Sequence, residues 1–309
     1  MILQAVKLYP AISIADTMIE YVRKTVLGCA QLGRPYGIAN TTGVPSRDES
    51  YRILQTAWES GIRHFDTAPS YNSEAVLGEF VRAEGLQDEI QILTKISKLG
   101  SEPNWKDAID KSVATSLGNL HCGRIKVLLL HDPNDVHFLL TEPEYFWGLL
   151  SKFPIKTLGV SAYEPEDVDR VKDCGIALAF QFPFSLLDRR FETNAIATGK
   201  RYARSIFLQG LLASSKLIES APRELKQLHK IIGDDCQKHN ISSRQQALKF
   251  AADSKSLDFF LMGVESVAQL RQLLKTDLTP EIDLPLVQKW RSLVNPNWLD
   301  PRTWNSQKN

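Results

Sequence analysis

Four side chains in this sequence could together deliver a proton to a carbonyl oxygen: Asp66, Tyr71, Lys95 and His131. They supply an anion, a phenol, an ammonium and an imidazole. A phenol, with an ordinary pKa of about 10, is a poor acid at neutral pH unless its anion is stabilised. A neighbouring ammonium stabilises phenolate and lowers that pKa. A carboxylate holds the ammonium in place and keeps it charged, and an imidazole can hydrogen-bond a carbonyl oxygen and orient it. Such a set protonates oxygen while hydride arrives at carbon, and general acid catalysis is worth about 10²–10⁴-fold. The hydride must come from a cofactor, because no side chain supplies one. Taken singly, each residue also has a plainer reading. Asp66 could cap a loop, Tyr71 could pack in one, and His131 could be a satisfied core histidine. Lys95, inside the apolar run ILTKIS, resists this, because a buried lysine needs a partner.

The elements that must position these residues follow from periodicity. Short apolar or β-branched runs fall at 25–31, 63–67, 90–97, 126–132, 155–161, 176–182, 203–209 and 258–263. Amphipathic stretches with a helical period lie between them, at 48–60, 73–84, 105–120, 143–152, 165–174, 191–200, 222–238 and 266–275, with an extra helix at 244–253. Ser46 or Asp48 can cap the first of these helices, and Pro143 and Pro165 suit first-turn positions. Alternating strands and helices predict an α/β fold of the (β/α)8 TIM-barrel type in a single domain. A doubly wound sheet would need fewer strands and usually a Gly-rich first turn, and neither GxGxxG nor GxxxxGK[ST] occurs. In a barrel the active site lies at the C-terminal strand ends. Asp66, Lys95, His131, Ser161 and Gln181 stand at or near the ends of strands two to six, and Tyr71 lies just beyond the second. Residues 1–23 read as an N-terminal extension, 24–280 as the barrel, and 281–309 as a tail packing on or near the active-site rim. Trp298 or Trp304 in that tail could line the pocket.

Composition excludes other classes. With 37 Lys+Arg against 36 Asp+Glu, the net charge of +1 argues against nucleic-acid or anionic-membrane partners. A hydrophobic content of 43% rules out disorder over most of the chain. The cysteines Cys29, Cys122, Cys174 and Cys236 form no CxxC and no metal-ligand spacing, which predicts buried thiols in a reducing, cytoplasmic setting. No HxH ends a strand, so no metal site is expected. No apolar run reaches the length of a membrane span. Nothing in the sequence speaks to oligomeric state.

The chain resembles an aldo/keto reductase over residues 24 to 280. HFDTAPSY, ILTKIS, LLLHDP and LGVSAY match in order and approximate spacing. VLGCAQLGRPYGIANTTGVPS, QFPFSLLDRRF and SIFLQGLL resemble a bacterial subgroup often met beside sugar-biosynthesis functions. The resemblance implies a small-molecule carbonyl substrate and NADPH as cofactor, less often NADH, bound without a Gly-rich dinucleotide fold. It implies Tyr71 as proton donor, Lys95 lowering its pKa, Asp66 pairing with Lys95, and His131 orienting the carbonyl. Ser161 and Gln181 would hold the nicotinamide carboxamide, and Gly28 and Cys29 would border the cofactor. Residues 208–212, with Leu208, Gly210 and Leu211, would lie along the pyrophosphate. Gly263, Ser266 and Gln269 would make contacts at the last strand.

The departures from the family pattern also carry information. Ala162 replaces a usual Asn, Ser266 the usual base for a 2′-phosphate, and Leu273 the usual adenine-site Asn. Arg204 stands where an aromatic residue commonly stacks on the nicotinamide. A guanidinium there could stack, could clamp a substrate carboxylate, or could simply pair with a nearby acid. The rival to an enzyme is a nucleotide-binding sensor or regulatory protein that keeps the pocket and turns over little.

Overall fold

A computed structural model describes residues 20–192 and 199–300. Eight parallel strands close into a barrel in sequence order. They are β1 (Thr25–Gly28), β2 (His64–Asp66), β3 (Gln91–Ile96), β4 (Ile125–Leu130), β5 (Leu158–Ser161), β6 (Leu178–Pro183), β7 (Arg201–Arg204) and β8 (Phe259–Gly263). The helices are α1 (Arg47–Glu59), α2 (Glu74–Glu84), α3 (Trp105–Leu120), α4 (Val136–Thr141), α5 (Pro143–Lys152), α6 (Pro165–Asp169), α7 (Arg223–His239), α8 (Ser243–Asp253), α9 (Val267–Leu274) and α10 (Leu284–Ser292). The expected (β/α)8 TIM barrel is the fold observed.

Both faces of each strand are covered, so the strands are apolar runs rather than alternating ones. The period of two still sorts their side chains. Val26, Leu93, Val127, Leu129, Ala179 and Tyr202 fill the barrel interior, while Leu27, Ile92, Leu128 and Phe180 pack outward against the helices. The next inward residue on each strand, two positions further along, forms the top layer. That layer is Gly28, Asp66, Lys95, Ser161, Gln181, Arg204 and Gly263, with His131 just past β4. Adjacent members pair directly in the register, as Gly28 with Asp66, Gly28 with Gly263, and Ser161 with Gln181.

Capping chemistry sets several helix starts. Ser46 accepts from the Glu49 amide at α1, Ser242 from Gln245 at α8, and Ser266 from Gln269 at α9. Several expected elements are shorter or shifted: the first strand ends at Gly28 rather than residue 31, and the helix expected at 165–174 ends at Asp169. The seventh strand starts two residues earlier than 203–209 and ends at Arg204, because Ser205, Leu208 and Gln209 take left-handed backbone that no strand tolerates. The sixth expected helix falls partly on 193–198, outside the described residues.

Residues 281–300 pack on the outer helices. Trp290 is fully buried and donates to Asp235 of α7 at 2.9 Å, and Lys289 pairs with the same carboxylate. No residue of this segment lines the active-site cavity described below. Trp298 packs on the hydrophobic core, and Trp304 lies outside the described residues.

Candidate active site

The deepest charge in the site is Lys95, 1% exposed. Its ammonium donates to Asp66 Oδ1 and Oδ2, at 2.9 and 2.8 Å, and to the Thr67 carbonyl at 2.9 Å. That uses every ammonium proton, so burial leaves no orphaned donor. Asp66 also accepts from Gln181 Nε2 at 2.7 Å. Gln181 therefore bridges the carboxylate to the sixth strand and keeps Oε1 as an acceptor.

Tyr71 sits in a 3-10 turn, Pro69–Tyr71, directly after β2. Its ring centroid lies 4.9 Å from Lys95 Nζ. The His131 ring meets it edge-on, with centroids 5.7 Å apart and planes at 85°. Burial pushes the Tyr71 phenol well above its ordinary pKa, and Asp66 adds to the rise, while Arg204 and Arg34 oppose it. The phenol is thus protonated at neutral pH. Burial, with Lys95, Arg204 and Arg34, pulls His131 down to about 3, so its imidazole is neutral. A neutral ring can donate one hydrogen bond to an oxygen without delivering its own proton.

A cavity of about 490 Å³ opens beside these groups. Gly28, Asp66, Tyr71, Gln181, Arg204, Gly210, Gly263 and Gln269 all line it, so the structure gathers most of the expected positions in one wall. Others stand behind it. The Cys29 thiol points into the outer core toward the Leu27 carbonyl, and burial pushes its pKa up, so it does not reach the cavity. Ser161, Leu208 and Leu211 are buried. Ser266 is occupied as a helix cap, while Glu265 before it and Gln269 after it line the wall.

Arg204 pairs with no acid among the described residues. It donates to the Ala162 carbonyl at 3.1 Å and lies 4.1 Å from the Tyr163 ring centroid. The Ala162 carbonyl thus anchors the Arg204 guanidinium over the Tyr163 ring. Sequence reasoning also missed wall and rim residues: Arg34, Tyr36, Arg244 and the role of Glu265. For Arg34 and Tyr36 the long stretch between β1 and α1 was the one signal, since rim loops of barrels carry function.

The cavity fits an extended nucleotide. Its walls come close at glycines: a Cβ on Gly263 would lie 2.3 Å from the Gln31 amide, and one on Gly210 would lie 2.3 Å from Ala39 Cβ. Arg244 of α8 joins the wall with Nε buried and without an acceptor. No group of acidic, histidine or cysteine side chains suited to a metal occurs among the described residues, and no helix there is long and apolar enough to cross a membrane.

A (β/α)8 barrel with a buried lysine–carboxylate pair beneath a tyrosine and a histidine points to an oxidoreductase class. The sequence model of the Aldo/keto reductase family matches residues 24–286, and the chain belongs to that family. It is 28% identical over 287 residues to D-threo-aldose 1-dehydrogenase of Pseudomonas sp, covering 77% of this chain and 86% of the relative. It is 24% identical over 309 residues to aldo-keto reductase YhdN of Bacillus subtilis, covering 96% and 84%. The fold of aldo-keto reductase AKR11C1 from Bacillus halodurans, in its holo form, superposes with a TM-score of 0.66 at 21% identity, covering 88% and 92% of the two chains.

Proposed function

We propose that the protein reduces an aldehyde or ketone to an alcohol with a reduced nicotinamide dinucleotide, and that Tyr71 donates the proton. The observation that carries this reading is the placement of Tyr71. Its ring meets His131 edge-on, with centroids 5.7 Å apart, and its centroid lies 4.9 Å from an ammonium that is itself held by Asp66. The cofactor would supply hydride. The chain's own residues do the rest. His131 holds the carbonyl oxygen toward Tyr71. The phenol proton passes to that oxygen as charge develops on it. Lys95, Arg34 and Arg204 then stabilise the phenolate left behind. Gln181 would hold the nicotinamide amide, with Ser161 beside it behind the wall, and residues 205–210 with Arg244 would border the phosphates. Gln31, Gly263 and Gln269 would flank the adenosine end.

Glu265 turns the cofactor reading toward NADH. It lines the cavity in the turn that would otherwise carry a base for a 2′-phosphate, and its carboxylate accepts from Thr42. A carboxylate there accepts ribose hydroxyls and repels a phosphate.

Tyr71→Phe tests the central claim. Turnover should fall about 10²–10⁴-fold while dinucleotide affinity, read by fluorescence titration, is kept. Near wild-type turnover in that variant would remove Tyr71 from the role. Dinucleotide binding by the wild-type protein with no oxidation across a carbonyl panel would favour the sensor.

A further inference from the structure

Arg34 carries a positive charge that no described residue neutralises. It lies just after the 3-10 turn Ala30–Leu32, on the way from β1 to α1. Its guanidinium carbon is 5.3 Å from the Tyr71 ring centroid and 5.4 Å from that of Tyr36. Its side chain makes no hydrogen bond or ion pair among the described residues. An aromatic contact consumes no N–H group, so the planar donor fork is free for a ligand.

The surrounding charges sharpen the point. Asp66 is spent on Lys95 and Gln181. Arg204, the other cation beside Tyr71, holds only a backbone carbonyl and the Tyr163 ring face. The space around the phenol therefore contains two guanidiniums and no available carboxylate. Arg204 belongs to the wall of the long cavity, which runs from Tyr71 toward Gln272 and Leu273. Arg34 does not line that cavity, although it touches Tyr71. Its guanidinium therefore lies against the Tyr71 and Tyr36 rings without being part of that cavity's wall.

The geometry points to a carbonyl substrate that bears its own oxyanion, a carboxylate or a phosphate, gripped by Arg34 a few bonds from the carbonyl that Tyr71 protonates. This rests on the reductase reading above. The contact spans fix the scale: with about 5 Å between guanidinium and phenol ring, the anion belongs on a short-chain compound. A guanidinium binds either oxyanion bidentately, with a specificity that a lysine cannot reproduce.

The experiment compares kcat/KM for matched pairs: succinic semialdehyde against butanal, and glyceraldehyde 3-phosphate against glyceraldehyde. The wild-type protein should favour the charged member of at least one pair by about tenfold or more, and which pair responds separates carboxylate from phosphate. In Arg34→Gln that ratio should collapse, through KM for the charged compound, and Arg34→Lys should restore part of it. Equal values within both pairs, or a ratio that survives Arg34→Gln, overturns the inference. If no carbonyl compound is reduced at all, the reductase reading fails separately. Calorimetric titration with succinate and with inorganic phosphate then decides the anion site. A Kd about tenfold weaker in Arg34→Gln supports it, and unchanged heats overturn it.

Discussion

Tyr71 owes its position to a glycine one helix and one strand earlier in the chain. Gly33 has ordinary backbone angles, so its lack of a side chain serves space rather than conformation. A Cβ there would stand 2.2 Å from the Tyr71 carbonyl oxygen and 2.5 Å from the Asn72 carbonyl carbon. These are backbone atoms, and Asn72 is already left-handed at φ 59°, so the turn has little freedom to give way. Gly33→Ala must therefore push Tyr71 out of register. A displacement of about 1 Å costs about 10²-fold in rate, and overpacking costs about 1–3 kcal/mol in stability. The expected result is a fall in kcat with dinucleotide affinity kept, because Gly33 does not line the long cavity. An unchanged kcat would show that the turn absorbs the methyl group. Glycine at this position is silent in the sequence: a residue absent for lack of room leaves no periodic signal.

At the scale of elements, the readable part of the site is the part that obeys a period. Lys95 follows Leu93, Gln181 follows Ala179 and Arg204 follows Tyr202 by two residues, so each inherits the inward direction of a barrel-filling side chain. That is why strand-end residues could be picked from one sequence. The turns have no such rule. The letters SIFLQG read as strand, yet 205–210 is a turn with Ser205, Leu208 and Gln209 at positive φ, conformations that cost about 1 kcal/mol each for residues with a side chain. Arg34 and Tyr36 were hidden likewise, in a connection whose shape only the fold supplies. The turn between β8 and α9 matters for the same reason. Ser266 is committed to capping and the Gln269 side chain accepts the Glu265 amide, which leaves the Glu265 carboxylate as the charge that this turn presents. Burial raises its pKa, although Thr42 and Gln269 oppose the rise. We expect NADH to bind about tenfold more tightly than NADPH, and Glu265→Lys to reverse the order, as read by fluorescence titration. Equal affinities in the wild-type protein would clear Glu265 of any part in the choice.

For the whole molecule, the barrel's two inward-facing histidines set its response to acid. His64 lies at the opposite end of the interior from the active site, against the Phe259 ring with centroids 4.4 Å apart. Burial, with Lys126 nearby, lowers its pKa to about 4, and His131 is held at about 3. Both are 6.5 when the chain is unfolded. As pH falls through that value the unfolded chain takes up protons that the folded chain refuses, so the folded state loses ground. The loss grows until the folded values are reached, and one unit below 6.5 it amounts to about 1.4 kcal/mol for each histidine. The carboxylates held low by partners, Asp132, Asp235 and Asp258, lose their contribution only in more acidic solution, so the window from about pH 6.5 to 5 belongs to the histidines. Unfolding free energy should fall by about 3 kcal/mol between pH 7.5 and 5.5. His64→Phe keeps a ring against Phe259 and removes one proton site, so about half of that fall should vanish while the His131 share persists. Urea denaturation at a series of pH values reads this directly, and a wild-type midpoint flat across the window would mean that both rings titrate alike in the folded and unfolded chain.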